Sequence, residues 1–328
     1  MIILHTLHWV QFAGTEKVCV DLCNELSKEH NVFLLTSKHI KPYINDKVNL
    51  VEIDFEKNRY NPLFLFKIAN IIKKINPDVI HVHNTKELEV MYNARIFLKK
   101  KIPIIATKHT LTPKKKFALA DLAVGILEET HSIINSNNSI IIKNGMAYKE
   151  PKILPKEEKF HIISAARLTP AKGMQTIIKA LSLVKFDYEF SVFGQGEQKE
   201  ELQNMIKELG LENNITIVGF VDNLNDYLAS ADVQIIASIF EPFGLTAIDG
   251  IYYSNVLIST NTGICADILD KNLIFENNPE ALAEKLTEIY NNYNFYLEKF
   301  EKIKERKEDF SIEKMVEQYV QAYKSLIK

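Results

Sequence analysis

One pattern constrains this chain more than any other: short β-branched runs alternate with longer helical stretches, the alternation stops, and then it starts again. Such alternation is the mark of βαβ units and a parallel sheet. In the first half the strand candidates are Met1–Leu4, Asn31–Thr36, Val48–Ile53, Val79–His83, Ile102–Thr107, Leu122–Ile126, Ser132–Asn135 and Ile140–Lys143. A helix falls between the first two, because Val18, Leu22 and Leu26 recur every four residues on one face. The alternation breaks at Tyr148–Phe160, a linker candidate with Pro151 and Pro155 among Lys and Glu. It restarts with strands at His161–Ala166, Glu189–Phe193, Ile215–Val218, Val233–Ala237 and Val256–Ser259. Helices are expected at Thr176–Leu183, Gln198–Leu209, Leu224–Ser230, Leu245–Ser254 and Pro279–Asn292, with a last amphipathic one at Ile312–Ile327.

A length of 328 residues suits two domains. The expectation is therefore α/β, with a doubly wound domain over residues 1–150 and a second over 151–311. Two such halves would place a cleft between them, and in open α/β sheets ligands bind at the carboxyl ends of strands. Charge divides along the same line: net +6 over residues 1–150 and −8 over 151–328, so the halves are expected to meet different molecules. The overall net charge of −2 argues against a nucleic-acid binder. Cys19, Cys23 and Cys265 lack CxxC spacing, which argues against a disulfide framework or a cysteine-built zinc site and fits a reducing cytosol. No apolar run is long enough to span a bilayer, and the N-terminus reads as a first strand, not a signal peptide.

The strongest local signal is the segment Ser238-Ile239-Phe240-Glu241-Pro242-Phe243-Gly244-Leu245, followed by Asp249 one turn into a helix. Pro242 and Gly244 make a tight turn, and the amides of Phe243, Gly244 and Leu245 form a helix N-terminus suited to a phosphate. Glu241 and Asp249 make sense beside an anion if they accept hydrogen bonds from sugar hydroxyls. A capped helix with a solvated acid is an equally good reading of this segment on its own. The pairs His81/His83 and His5/His8 read as structural, without a carboxylate partner to make a metal site.

The Glu241–Asp249 segment resembles the Glu-x7-Glu motif of retaining GT-B glycosyltransferases of the GT4 type, with Asp249 one methylene shorter than the second Glu. The resemblance runs in order through nearly the whole chain. Ala166-Arg167-Leu168-Thr169-Pro170-Ala171-Lys172-Gly173 looks like the loop that grips the donor diphosphate, which implies that role for Arg167 and Lys172. Phe193-Gly194-Gln195-Gly196 resembles the next Gly-x-Gly turn, and Gly219-Phe220 the segment beside the nucleotide base. Thr262-Gly263 keeps only the first glycine of a Gly-Gly-x-Pro-Glu element. Ala13-Gly14-Thr15-Glu16 resembles a Gly-Gly-x-Glu loop, with Gly14 approaching the donor. His109 matches a histidine facing the donor sugar, to hydrogen-bond a hydroxyl or shield charge at the anomeric carbon. Asn144-Gly145 reads as a turn at the hinge.

The resemblance implies a GT-B fold of two Rossmann-like domains, acceptor side first and donor side second, with the final helix (about residues 312–328) packing back on the first. It implies a hexosyltransferase working with retention by front-face substitution, with Glu241 and His109 at the chemistry and Gly14, Arg167, Lys172, Gly194, Phe220, Phe243, Gly244, Leu245 and Asp249 on the donor. A UDP-sugar is the family's most frequent donor. The absence of any Asp-x-Asp implies no metal and no cofactor, Arg167, Lys172 and helix dipoles standing in for the ion. Lys114, Lys115 and Lys116 are expected on the acceptor side, against an acidic acceptor or anionic inner-membrane lipid. Together these imply a bacterial cytoplasmic enzyme, peripheral at the inner membrane, building a lipopolysaccharide core, a capsule or a lipid-linked oligosaccharide. The competing expectations are a nucleotide-sugar epimerase on the same fold and a non-catalytic sugar- or nucleotide-binding paralogue.

Overall fold

The computed structural model describes every residue except Val10, Lys57, Lys114, Lys156, Glu157 and Lys328. The chain divides into two units, Met1–Ala147 with Asp309–Lys328, and Tyr148–Glu308. Among the described residues, the first unit holds one parallel sheet of β1 (Ile2–Thr6), β2 (Asn31–Thr36), β3 (Asn49–Glu52), β4 (Val79–Val82), β5 (Ile104–Lys108), β6 (Leu122–Gly125) and β7 (Ser139–Ile141). Its order is β3-β2-β1-β4-β5-β6-β7, so the winding reverses between β1 and β4. At such a switch point the loops leaving two neighbouring strands part and open a crevice. β1 and β4 run in register, Leu4 beside Ile80 and His5 beside His81. Both are buried on two faces, as a sheet covered by helices requires.

The covering helices are α1 (Gly14–Leu26), α2 (Pro62–Ile75), α3 (Thr85–Ala94) and the short α4 (Glu128–Ser132). α2 and α3 lie where no helix is expected from the sequence reading above, although both begin on readable signals. Asn61 caps α2 ahead of Pro62, and Asn84 caps α3 by accepting from the amides of Lys86 and Glu87. The expected strand Ser132–Asn135 does not form. Thr130 Oγ1 accepts from the amides of Ile126 and Leu127 and donates to the Leu127 carbonyl, and that local bonding winds the chain into α4.

In the second unit the sheet of β8 (Phe160–Ala165), β9 (Tyr188–Phe193), β10 (Ile215–Gly219), β11 (Val233–Ile236) and β12 (Leu257–Ser259) is ordered β10-β9-β8-β11-β12. The winding again reverses, between β8 and β11. Helices α5 (Met174–Leu181), α6 (Lys199–Glu208), α7 (Leu224–Ser230), α8 (Leu245–Tyr253), α9 (Gly263–Ile268), α10 (Pro279–Asn291) and α11 (Tyr293–Lys304) complete it. The expected linker is docked. Backbone amides of Lys149, Lys152 and Leu154 donate to Tyr253 Oη, Asp226 Oδ1 and Ser230 Oγ at 2.8–2.9 Å.

The last helix, α12 (Ile312–Leu326), belongs to the first unit and packs on α1. Ser311 caps it, and Ile312, Met315, Tyr319, Ala322 and Tyr323 are its buried face. Asn144-Gly145 carries no turn. The backbone runs on to pair Met146 with Ser311, and a Cβ on Gly145 would stand 2.2 Å from the Ser311 carbonyl oxygen.

Candidate active site

In the second unit the loops that leave β8, β9, β11 and β12 meet at the switch point, and glycines let them touch. Gly173 has φ +69°, and a Cβ there would stand 2.0 Å from the Ala237 carbonyl oxygen. Gly194, at φ +133°, would meet the Ala166 oxygen at 1.9 Å. No other residue fits such backbone-on-backbone contact at these dihedrals. The contacts bring the Ala166–Gly173 loop onto the loop that follows β11.

There Lys172 Nζ forms an ion pair with Glu241 Oε1, and Ser238 Oγ donates to the same oxygen at 2.8 Å. The Glu241 amide donates to Thr262 Oγ1 at 2.9 Å, which ties in the loop after β12. Glu241 is 8% exposed, so its charge sits largely out of water and needs these partners. Lys172 is thus half of a part-buried ion pair, while its neighbour Arg167 is exposed. Gly244 caps α8 at φ +94°, with Leu245 the first helical residue and Phe243 buried, its carbonyl accepting from Ile264. Asp249 is half-buried on α8, Gly219 has φ +96°, and Phe220 is 67% exposed.

In the first unit the ends of β1, β4 and β5 converge on four histidines. His5 Nδ1 lies 3.2 Å from His83 Nε2, and His83 Nδ1 lies 3.2 Å from His109 Nε2. His81 is held by Tyr323 Oη at 2.7 Å and Thr107 Oγ1 at 2.8 Å, and Thr107 in turn bonds Tyr319 Oη. Burial pushes His109 down to about 4, so its ring is neutral at pH 7. That removes charge shielding by an imidazolium and leaves hydrogen bonding as its chemistry. Burial, with the neighbouring rings, also holds His81 and His83 well below the ordinary range.

Beside them stands Glu87, fully buried, whose carboxylate accepts from Thr6 Oγ1 and from the amides of His8 and His83, and also from Asn84 Nδ2. Burial raises it to about 7 against the pull of those donors. The sequence reading missed this acid, which holds the backbone amides of His8 and His83 and not their rings. Its one local signal is the Asn84-x-x-Glu87 spacing of a reciprocal cap at the start of α3.

Gly14 opens α1 behind Ala13, whose methyl offers no side-chain cap to the first turn. A pocket of about 400 Å³ opens at the ends of β1, β2 and β3, lined by His8, Trp9, Ser37, Asp54, Phe55 and Lys67. Trp9 there adjoins Phe12, and Phe12 stacks on Tyr43 at 3.8 Å. The expected basic patch is thinner than its sequence. Lys114 lies outside the described residues, Lys115 is exposed, and Lys116 is paired with the buried Glu89, which also takes Arg59 at 2.5 Å.

The family model for glycosyl transferases group 1 matches residues 147–310, and that for Glycosyltransferase Family 4 matches residues 12–135. At 23% identity over 342 residues, 94% of each chain, this protein is similar to a Campylobacter jejuni GalNAc-alpha-(1->4)-GalNAc-alpha-(1->3)-diNAcBac-PP-undecaprenol alpha-1,4-N-acetyl-D-galactosaminyltransferase. Among solved structures it is similar to a glycosyltransferase from Rickettsia africae, with TM-score 0.86 and 22% identity over 100% of this chain and 98% of that one. It is also similar to Anabaena Alr3699/HepE solved with UDP-glucose, with TM-score 0.82 and 17% identity over 99% and 100%.

Proposed function

Because the chain belongs to the glycosyl transferases group 1 family and has the GT-B fold, we propose that it moves a hexose from UDP, with retention, onto a hydroxyl of a lipid-linked surface glycan. The observation that carries this reading is the part-buried Lys172–Glu241 pair at the switch point of the second unit. On this reading Arg167 and the open amides at the start of α8 take the donor diphosphate. Lys172 adds charge to the same anion while fixing Glu241, and Glu241 accepts from sugar hydroxyls. No protein base is needed, because the departing phosphate oxygen takes the proton of the attacking hydroxyl. Protein cations rather than a divalent ion offset the charge that develops on the leaving nucleotide. For the first unit, the reading gives the α1 amides at Gly14 an anion and the neutral His109 a sugar hydroxyl.

The choice of UDP is supported by the Anabaena protein, and the lipid-linked acceptor by the name of the Campylobacter relative. Among the described residues no helix is long and apolar enough to cross a membrane. A peripheral contact with anionic lipid is supported instead by α2, where exposed Leu63 and Phe66 stand with Lys67, Lys73 and Lys74.

The test is thermal unfolding with UDP, GDP, ADP, CMP and their sugar conjugates. A ligand at about 100 times its Kd adds about 2.7 kcal/mol. UDP and one UDP-sugar are expected to raise Tm; no shift with any nucleotide overturns the reading. Glu241→Gln is expected to keep the UDP shift and to lose at least about tenfold in transfer.

A further inference from the structure

The first unit contains a cluster that the glycosyl-transfer reading does not use. Cys19 and Cys23 are one turn apart on α1, so both thiols project from one face, and β1 brings His5 against them. All three side chains are wholly buried, and one donor atom from each lies within 4.8 Å of the others. His5 Nε2 has no hydrogen-bond partner in the structure. A buried ring nitrogen left so is costly, and it needs an explanation.

A second trio, His5, His81 and His83, is equally close. Its nitrogens are engaged, however: His81 by Tyr323 and Thr107, His83 by His5 and His109. The orphan nitrogen therefore selects the cysteine side. We propose that His5 Nε2, Cys19 Sγ and Cys23 Sγ bind a thiophilic d10 cation, with Zn2+ as the representative ion.

Two thiolates and an imidazole are the ligand types such an ion prefers. Bonds of about 2.0–2.3 Å put donors roughly 3.3–4 Å apart, so closing on the ion takes about an ångström of side-chain movement or less. Binding releases two protons, one from each thiol, and forms two metal–sulfur bonds and one metal–nitrogen bond.

The ion would also set a direction. With Nε2 bound to metal, the remaining His5 proton sits on Nδ1 and is donated to His83 Nε2. His83, neutral, must then carry its proton on Nδ1 and donate to His109 Nε2. His109, neutral too, is left with its proton on Nδ1. The occupant of a site on α1 thus fixes the tautomer of a histidine on the loop after β5.

The test uses the full chain, purified reduced and without chelator. Metal analysis is expected to find one ion per chain. Reconstitution with Cd2+ is expected to give a thiolate-to-metal charge-transfer band that Zn2+ displaces. Cys19→Ala with Cys23→Ala should abolish ion and band, and Cys265→Ala, in the second unit, should keep both. Wild-type protein without an ion and without a band overturns the proposal whether or not the double variant folds, as does a band that survives in the folded double variant. Histidine 15N NMR should show His109 protonated at Nδ1 in the loaded protein; an unchanged tautomer mixture on loading overturns the coupling.

Discussion

His109 illustrates how a single side chain links folding to pH. In the unfolded chain it titrates near 6.5 and in the folded protein near 4. Between those values the unfolded state binds the extra proton. Stability therefore rises with pH through that window and is lost as pH falls from about 6.5 towards 4, by about 3 kcal/mol at the acid end. His81 and His83 act in the same direction. Chemical denaturation from pH 7 down to 4.5 should show a steep loss in the wild-type protein and a shallower one in His109→Gln. Equal slopes would mean that His109 is not held neutral by burial. In a pH–rate profile, no limb between pH 5 and 8 should belong to His109.

Among elements, α12 does more than close the first unit. Tyr323 is fully buried and bonds His81, while Tyr319 bonds Thr107, so the helix satisfies polar groups at the centre of the sheet. Tyr323→Phe keeps the ring and leaves His81 Nδ1 unpartnered, at a cost of about 1–3 kcal/mol. Tyr323→Ala adds the loss of the ring itself and should cost about 3–5 kcal/mol or more. Urea titration of both variants checks the ranking. If Phe is as damaging as Ala, the hydroxyl matters more than the ring.

Most strands were legible in the sequence, because β-branched runs such as Asn31–Thr36 have few alternatives. α2 and α3 went unread although both were readable: Asn61-Pro62 and Asn84 mark their starts, and Phe64, Leu65, Ile68, Ala69 and Ile72 keep a helical period along α2. In the second unit the loops that meet were legible, since Gly173, Gly194 and Gly244 each lie within a few residues of a charge. The histidine cluster was not, because its members come from the ends of three strands, with His5 76 to 104 residues from the others, and the neighbouring Glu87 from a helix that went unread. Packing, which no local window records, decides that His5 faces Cys19.

On the scale of the whole molecule, the second unit is one continuous stretch and the first is not. The first is built from the chain's opening and from the segment 309–328. Removing that segment exposes the faces that α12 covers and should leave the first unit open to protease, while Tyr148–Glu308 stays protected. Mass spectrometry of limited digests reads this directly, and a truncated first unit as resistant as the intact one would show that α12 is dispensable. The same discontinuity sets an order of events at the ribosome. At roughly 5–20 residues per second, about 9–34 seconds pass between the emergence of β7 and that of α12. Through that interval the nascent first unit carries an uncovered apolar seam beside α1, which closes only when the last helix arrives.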